Sequence, residues 1–318
     1  MKIKVNLTES SYNKILEDIR LFKISKSDKT INKNKFINLL FKNFYRMYED
    51  NIDRTINNIN EVVNDESLSK EIALKLQNDI ADSKNNYFNK SLTFILNDDN
   101  STSFEYIEEK LVYVSASAYF RNMIMEYLSY PQYKREEIIY KDRADKINEA
   151  IANNNYLQFK VNDQKISFRP YKLGTSKEEV YSYLLGMTEG TTVRSYNLAN
   201  IKDIVIKRDK FELEKKDIDL LEENIKNGIQ FPYSKPYNTT IRLTERGKET
   251  FEKRYVNRPI PIEVNGNEYK FSCSFFQLKS YFLAFGHDAY IMGSRLREEI
   301  NKEYSDAVNM YNKRHVEK

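Results

Sequence analysis

The stretch Ser91 to Asn97, SLTFILN, decides how this chain folds. Leu92, Phe94 and Leu96 alternate with Ser91, Thr93 and Ile95, the period of a strand with one apolar face. The residues on either side carry their apolar groups at helical spacing instead. A lone strand leaves its backbone donors and acceptors unpaired, so a partner strand must lie elsewhere. The chain opens with one. In KIKVNL, Ile3, Val5 and Leu7 alternate with Lys2, Lys4 and Asn6, giving one apolar and one basic, polar face.

Both strands lead into similar pairs of helices. After KIKVNL, Thr8 offers a helix cap, and Tyr12, Ile15, Leu16, Ile19 and Phe22 recur at helical spacing. A lysine-rich loop then carries five lysines against one aspartate over residues 23–35, and includes Lys33 and Lys35. Beyond it Phe36, Leu39, Leu40, Phe41 and Phe44 leave little polar face, as in a buried helix. After SLTFILN come a helix with Phe104, Ile107 and Leu111 on one face and a second helix, ended by Pro131. The second helices align: KFINLLFKNFY against YFRNMIMEYLS sets Phe36 over Phe120, Asn38 over Asn122, Leu40 over Ile124 and Phe44 over Leu128. The chain therefore reads as strand–helix–helix twice, its two strands pairing antiparallel within one chain or between chains of a dimer. Residues 51–88 read as two amphipathic helices inserted between the copies, the second with a stripe of Leu68, Ile72, Leu76 and Ile80. Ile138, Ile139, Ala144, Ile147 and Ile151 mark a helix leading out.

Two such units resemble the ribbon-helix-helix fold, in which outward strand residues read bases and the amino end of the second helix grips phosphate. Carried over by position, the resemblance implies that Lys2, Lys4 and Asn6 face nucleic acid, with Lys33 and Lys35 near the phosphates. In the second copy the corresponding strand residues are Ser91, Thr93 and Ile95, so the basic character is lost there.

From residue 156 the pattern turns to short strands separated by tight turns: YLQFKV, ISFRPYKL, EVYSYLLGM, VRSYNL and IKDIVI. Strands without intervening helices suggest a small β-barrel. The stretch resembles the WYL domain, an SH3- or Sm-like barrel of bacterial regulators, through SFRPYKL, YSYLLGM and VRSYNLANI. The tripeptide that names that family corresponds to Ser182-Tyr183-Leu184, and the chain holds no tryptophan. Arg169, Lys172, Tyr183, Arg194 and Tyr196 offer cations for phosphate beside aromatic faces for bases. Asn197 and Asn200 fall where that family commonly has arginine.

After a linker over 213–236, the remaining residues read as β-α-β-β-α-β with an added helix, a split βαβ arrangement, with an Asn-Gly hairpin turn. The last helix carries Leu296, Ile300, Tyr304, Val308 and Tyr311 on one stripe, suited either to packing within the chain or to a dimer contact. The expected organisation is α+β and multidomain: a tandem ribbon-helix-helix-like domain over 1–152, a WYL barrel over 153–212, the linker, and a ferredoxin-like dimerisation domain over 237–318.

Composition bounds the function. The 318 residues are 31% charged and 13% aromatic with a net charge of +4, which describes a folded and only mildly basic chain. No apolar run approaches the roughly 18 residues of a spanning helix, and MKIKVNLTES lacks a signal-peptide core, so a cytoplasmic protein without a membrane is expected. Cys273, the one cysteine, alternates with Phe271 and Phe275 and reads as packing. The histidines His287 and His315 lie apart, FGHDAY reads as a turn, and no phosphate loop, metal-ligand spacing or nucleophile motif occurs. Neither an enzyme, a metal nor a cofactor is expected.

The order of parts resembles the WYL accessory proteins of type VI-D CRISPR systems, through ADKINEAI, ISFRPYKL, LTERGKETF and NRPI. That resemblance implies single-stranded RNA binding and stimulation of an RNA-guided, RNA-cleaving effector nuclease by a homodimer. A DNA-binding transcriptional regulator whose barrel senses a nucleotide ligand is the alternative reading, and a structural adaptor a third.

Overall fold

The computed structural model describes residues 1–26, 30–82, 89–109 and 115–313, without the side chains of 77–82 and 313. Ile80, Leu111, His315 and the middle of the lysine-rich loop lie outside those bounds. The chain divides into two compact units, Met1–Asp145 and Lys146–Lys318.

The first unit contains β1 (Lys2–Leu7), α1 (Glu9–Leu21), α2 (Lys33–Val63), α3 (Glu66–Asp82), β2 (Lys90–Ile95), α4 (Asp98–Glu108), α5 (Ala116–Ser129) and α6 (Gln132–Ile139). The strands β1 and β2 pair antiparallel within the chain, with Ile3 opposite Phe94 and Val5 opposite Leu92. Ile3, Val5, Leu7, Leu92, Phe94 and Leu96 are all buried. Each strand runs into a capped helix: the Thr8 hydroxyl accepts from the Ser11 N–H, and the Asn97 side chain accepts from the Asn100 N–H. The aligned residues of the second helices meet in one core. Phe36, Leu40, Phe44, Phe120, Ile124 and Leu128 are buried, and the Phe120 ring lies 5.3, 5.1 and 5.0 Å from those of Phe41, Phe94 and Phe104. Burying side chains of this size stabilises by about 1.5–3 kcal/mol each.

The inserted segment differs from expectation. TINNINEVV is no separate helix but the continuation of α2, which has no Gly or Pro to stop it before Asn64 adopts a left-handed cap at φ 53°. Among the described side chains of α3 the buried ones are Ser69, Ala73 and Leu74, while Leu68 and Leu76 are exposed. Small residues at i and i+4 let this helix approach α2, where the Ser69 hydroxyl meets Asn60, so the buried face is rotated from the predicted stripe. The exit helix is two helices, α6 and α7 (Lys141–Ala152), broken at Tyr140, whose φ/ψ of −108°/34° are not helical. A buried ion pair that the pattern did not announce ties the unit together. Asp18 is fully buried and accepts from Arg135 at 2.8 Å through both oxygens and from the Tyr127 hydroxyl at 2.9 Å.

The second unit holds two antiparallel sheets. The first is built from β3 (Asn155–Val161), β4 (Gln164–Thr175), β5 (Ser182–Thr188), β6 (Val193–Asn197) and β7 (Lys202–Lys210) in the order β6-β5-β4-β3-β7. The β3–β4 hairpin turns through Asn162 and Asp163, both at positive φ, as a type I′ turn requires. The expected barrel does not close. No ladder joins β6 to β7; a 3-10 turn over Leu198–Asn200 intervenes, and bulges in β4 and β7 bend the sheet. Gly186 permits this curvature, since a Cβ there would stand 2.7 Å from the Phe168 ring and 2.1 Å from the Arg169 carbonyl oxygen.

The stretch read as a linker contains α8 (Lys215–Asn227), whose Leu221 packs with Leu185, Met187, Val193 and Ile229. The second sheet is formed within β8 (Tyr237–Leu243), α9 (Glu245–Lys253), β9 (Pro261–Asn265), β10 (Glu268–Cys273), α10 (Phe275–Phe282), β11 (Ala289–Ile291) and α11 (Ser294–Lys313), with strand order β11-β8-β10-β9. Asn265 ends β9 and pairs with Glu268, so the turn is Gly266-Asn267 with Gly first, at φ 58°, rather than Asn-Gly. Leu296 and Ile300 of α11 are buried in this unit.

Candidate nucleic-acid interface

Two surfaces carry the residues that sequence reasoning singled out. On the ribbon, directly opposed residues share a face, and the register sets Lys2 against Ile95, Lys4 against Thr93 and Asn6 against Ser91. All six are exposed. Lys2 and Lys4 form no salt bridge among the described residues.

At the amino end of α2 the Asn32 side chain accepts from the Lys35 N–H, one of the four donors that a helix start leaves unpaired. Lys35 is exposed, whereas the Lys33 ammonium turns to Tyr12, donating to its hydroxyl and lying 4.9 Å from the ring centroid. Lys33 is therefore partly engaged within the fold. Sequence reasoning offered Asn32 or Asn34 as the cap of this helix, and Asn32 is the cap; it missed the contacts of Asn34 and Asn38 with β2. The Ile95 N–H donates to Asn34 Oδ1 at 2.7 Å, Asn38 Nδ2 donates to the Ile95 carbonyl at 2.9 Å, and Asn38 Oδ1 accepts from the Asn97 N–H and from Asn100 Nδ2. Asn34 and Asn38 satisfy the open edge of β2 and, with Asn32, Asn97, Lys35 and Lys42, line a hollow of about 280 Å³. Their signal was the run of polar asparagines inside an otherwise apolar helix start.

In the five-stranded sheet the predicted set is split. Arg194 stands opposite Gly186 and Tyr196 opposite Leu184, on the face that buries Phe159 and Phe168. Arg169 stands opposite Met187, and Tyr183 opposite Gly174, on the face that α8 covers in part. Lys172, set opposite Leu185 by the β4 bulge, is exposed on that second face. The five residues therefore do not converge on one site, because alternation along a strand sends neighbours to opposite sides.

Tyr196 is half-buried, its ring edge-on to Phe159 and Phe168 at 5.3 and 5.4 Å, so it contributes to the core as well as to the surface. Burial raises its hydroxyl pKa and the Arg194 charge opposes that shift; Arg194 stands two residues away on the same face of β6. Arg194 itself is exposed and has no salt bridge among the described residues. Tyr183 meets Tyr181 at 6.4 Å and packs at the margin of the α8 contact. Arg169 Nη2 donates to the Thr188 carbonyl at 3.2 Å, while its buried Nε has no partner.

Burial pushes the Cys273 thiol up to about 12, with the Glu223 charge adding, the opposite of an activated nucleophile. His287 is 86% exposed, 3.8 Å from Asp288, and Asp288 accepts from the Thr244 hydroxyl at 2.7 Å. Among the described residues no three His, Cys, Asp or Glu side chains are placed to hold a metal, and no helix is long and apolar enough to cross a membrane.

No family model and no curated protein matches this chain. Among solved structures, a CRISPR Cas-related protein shares its fold with a TM-score of 0.80 at 19% identity, over 99% of this chain and 95% of that one. Proteasome accessory factor B/C of Arthrobacter aurescens aligns with 58% of this chain and 31% of its own length, at 12% identity and a TM-score of 0.25, below the level of a shared fold.

Proposed function

We propose that this chain is a non-catalytic, nucleic-acid-binding regulatory protein, which binds single-stranded RNA as an accessory that stimulates an RNA-guided, RNA-targeting CRISPR effector. The observation that carries this reading is the fold shared along nearly the whole chain with a protein described as CRISPR Cas-related. The finer assignments rest on the residues: the first unit as a tandem ribbon-helix-helix, the five-stranded sheet as a WYL domain, and its Arg194–Tyr196 edge as the single-strand site. Arg194 supplies an unpaired cation and Tyr196 a phenol beside it, the pairing of charge and aromatic surface that single-stranded ligands use. In this reading a homodimer forms with α11 contributing. Val308, Met310 and Tyr311 leave an apolar end exposed where Leu296 and Ile300 are already consumed by the core.

One observation favours the second reading, a DNA-binding regulator: Lys2 and Lys4 lie free on the outward face of a paired ribbon, the element that enters a major groove. Binding of the full chain to single-stranded RNA, single-stranded DNA and duplex DNA across a salt series separates the two. Preference for single-stranded RNA supports the accessory. Tight, sequence-specific duplex binding with no RNA preference replaces it with the regulator.

A further inference from the structure

We infer that the open face of the five-stranded sheet over β7, β3 and β4 is a track for the phosphate backbone of a single-stranded nucleic acid, separate from the Arg194 edge; this rests on the proposed nucleic-acid function. The strand registers set Lys165 of β4 directly opposite Lys160 of β3, and Lys160 directly opposite Lys202 of β7. Three lysines from three adjacent strands therefore stand in one row on one face, the face opposite to Leu157, Phe159 and Phe168. All three are exposed.

Like charges placed directly opposite one another weaken a sheet, and nothing in the packing calls for this row. The carboxylates that face it are few. Asp203 accepts from Lys160 at 2.8 Å, from a bulge position at φ 51°, and Asp163 in the hairpin turn adds its field at Lys160. Lys165 and Lys202 have no salt bridge among the described residues. The next row on the same face is uncharged: Ser167, Gln158 and Val205 stand opposite one another, with Val205 50% exposed. Arg169 comes next on β4, part-buried with its Nη2 donating to the Thr188 carbonyl at 3.2 Å. Cations thus border a floor of hydroxyl, amide and methyl groups that holds no carboxylate. The net charge of +4, from 51 basic and 47 acidic residues, does not by itself require such a concentration.

Strands lie about 4.8 Å apart, so the lysine row spans about 10 Å, a single line of cations that one phosphate backbone can follow. The row therefore serves one backbone, whose phosphates relieve the repulsion among the lysines.

The test is a salt titration of the full chain with a labelled twenty-nucleotide oligouridine, comparing wild type, Lys165→Gln/Lys202→Gln and Arg194→Ala. The double variant should lower the slope of log affinity against log salt by about 1.4, at about 0.7 per phosphate contact on a single strand. Its thermal midpoint should be unchanged or raised, because a repulsion is removed. Should the double variant not fold, Lys202→Gln alone is read for a loss of about 0.7. Unchanged slope and affinity in the folded double variant, with binding weakened by Arg194→Ala, overturn the track and leave the RNA reading standing. Failure of the wild type to bind any single strand overturns both. Unchanged RNA binding together with weakened binding to polyglutamate would assign the row to an acidic protein segment and overturn it as well.

Discussion

In the first strand–helix–helix copy the outward strand residues are Lys2, Lys4 and Asn6; opposite them in register, the second copy presents Ile95, Thr93 and Ser91. The second helices of the two copies differ in the same way. The start of α2 carries Lys33 and Lys35, whereas α5 begins Ala116-Ser117-Ala118. Inward, the copies match: Phe36 with Phe120, Leu40 with Ile124 and Phe44 with Leu128 are buried alike, and even the polar pair Asn38 and Asn122 is buried in both. Residues that share one core are held to shape and polarity by their neighbours, while outward residues answer only to solvent and ligand. The duplication therefore preserves a fold and leaves one basic side, so any ribbon contact with nucleic acid is carried by the first copy.

The likeness of the copies is most exposed to test at their core. Phe36→Ala and Phe120→Ala should each destabilise the first unit by about 3–5 kcal/mol, measured by denaturant unfolding. Costs that differ by more than about 2 kcal/mol would show that the copies are not equivalent inside. A smaller effect belongs to the asparagine clamp. Asn38→Ala leaves the Ile95 carbonyl and the Asn97 N–H without their partner and should cost about 1–3 kcal/mol, seen as faster hydrogen exchange at Asn97. An Asn97 amide no less protected than in the wild type would show that the clamp is dispensable. The least effect on stability is expected outside. Lys4→Ala should change stability by no more than about 0.5 kcal/mol, and Thr93→Lys, which sets a lysine opposite Lys4, should lower it by up to about 1 kcal/mol. They should move the salt slope for duplex DNA in opposite directions, by about 0.9 each, if the ribbon binds a duplex at all. Equal slopes for both variants would make the outward face inert.

The same division explains what could be read from the sequence. The strand pairing, the duplicated helices and the succession of strands and helices in the last sheet arise from periodicity, because burial acts on every second residue of a strand and on the matching face of a helix. The continuity of α2 through residues 51–63 was not legible, since polar composition such as TINNIN suits a helix end as well as a solvent-facing helix. The rotation of α3 onto Ser69 and Ala73 depends on close approach to a neighbouring helix, which a hydrophobic stripe does not encode. The Asp18–Arg135 pair joins residues far apart in sequence and has no local pattern. For the candidate site, the residue types were legible and their convergence was not. The bulge between Pro170 and Lys172 and the cover provided by α8 decide which face each side chain takes, and neither is visible as a spacing. The lysine row escaped for the same reason: Lys160, Lys165 and Lys202 become neighbours only through register.

The proposed function stands on single-stranded RNA being held at the Arg194 edge of the sheet and not by the ribbon. The decisive comparison is the affinity of folded Arg194→Ala and of Lys2→Ala/Lys4→Ala for one single-stranded RNA over a salt series. Binding at the sheet edge predicts that Arg194→Ala weakens binding to every sequence and lowers the salt slope by about 0.7, while the ribbon variant binds as the wild type does. Unchanged RNA affinity in Arg194→Ala, with binding lost in the lysine variant, would contradict it.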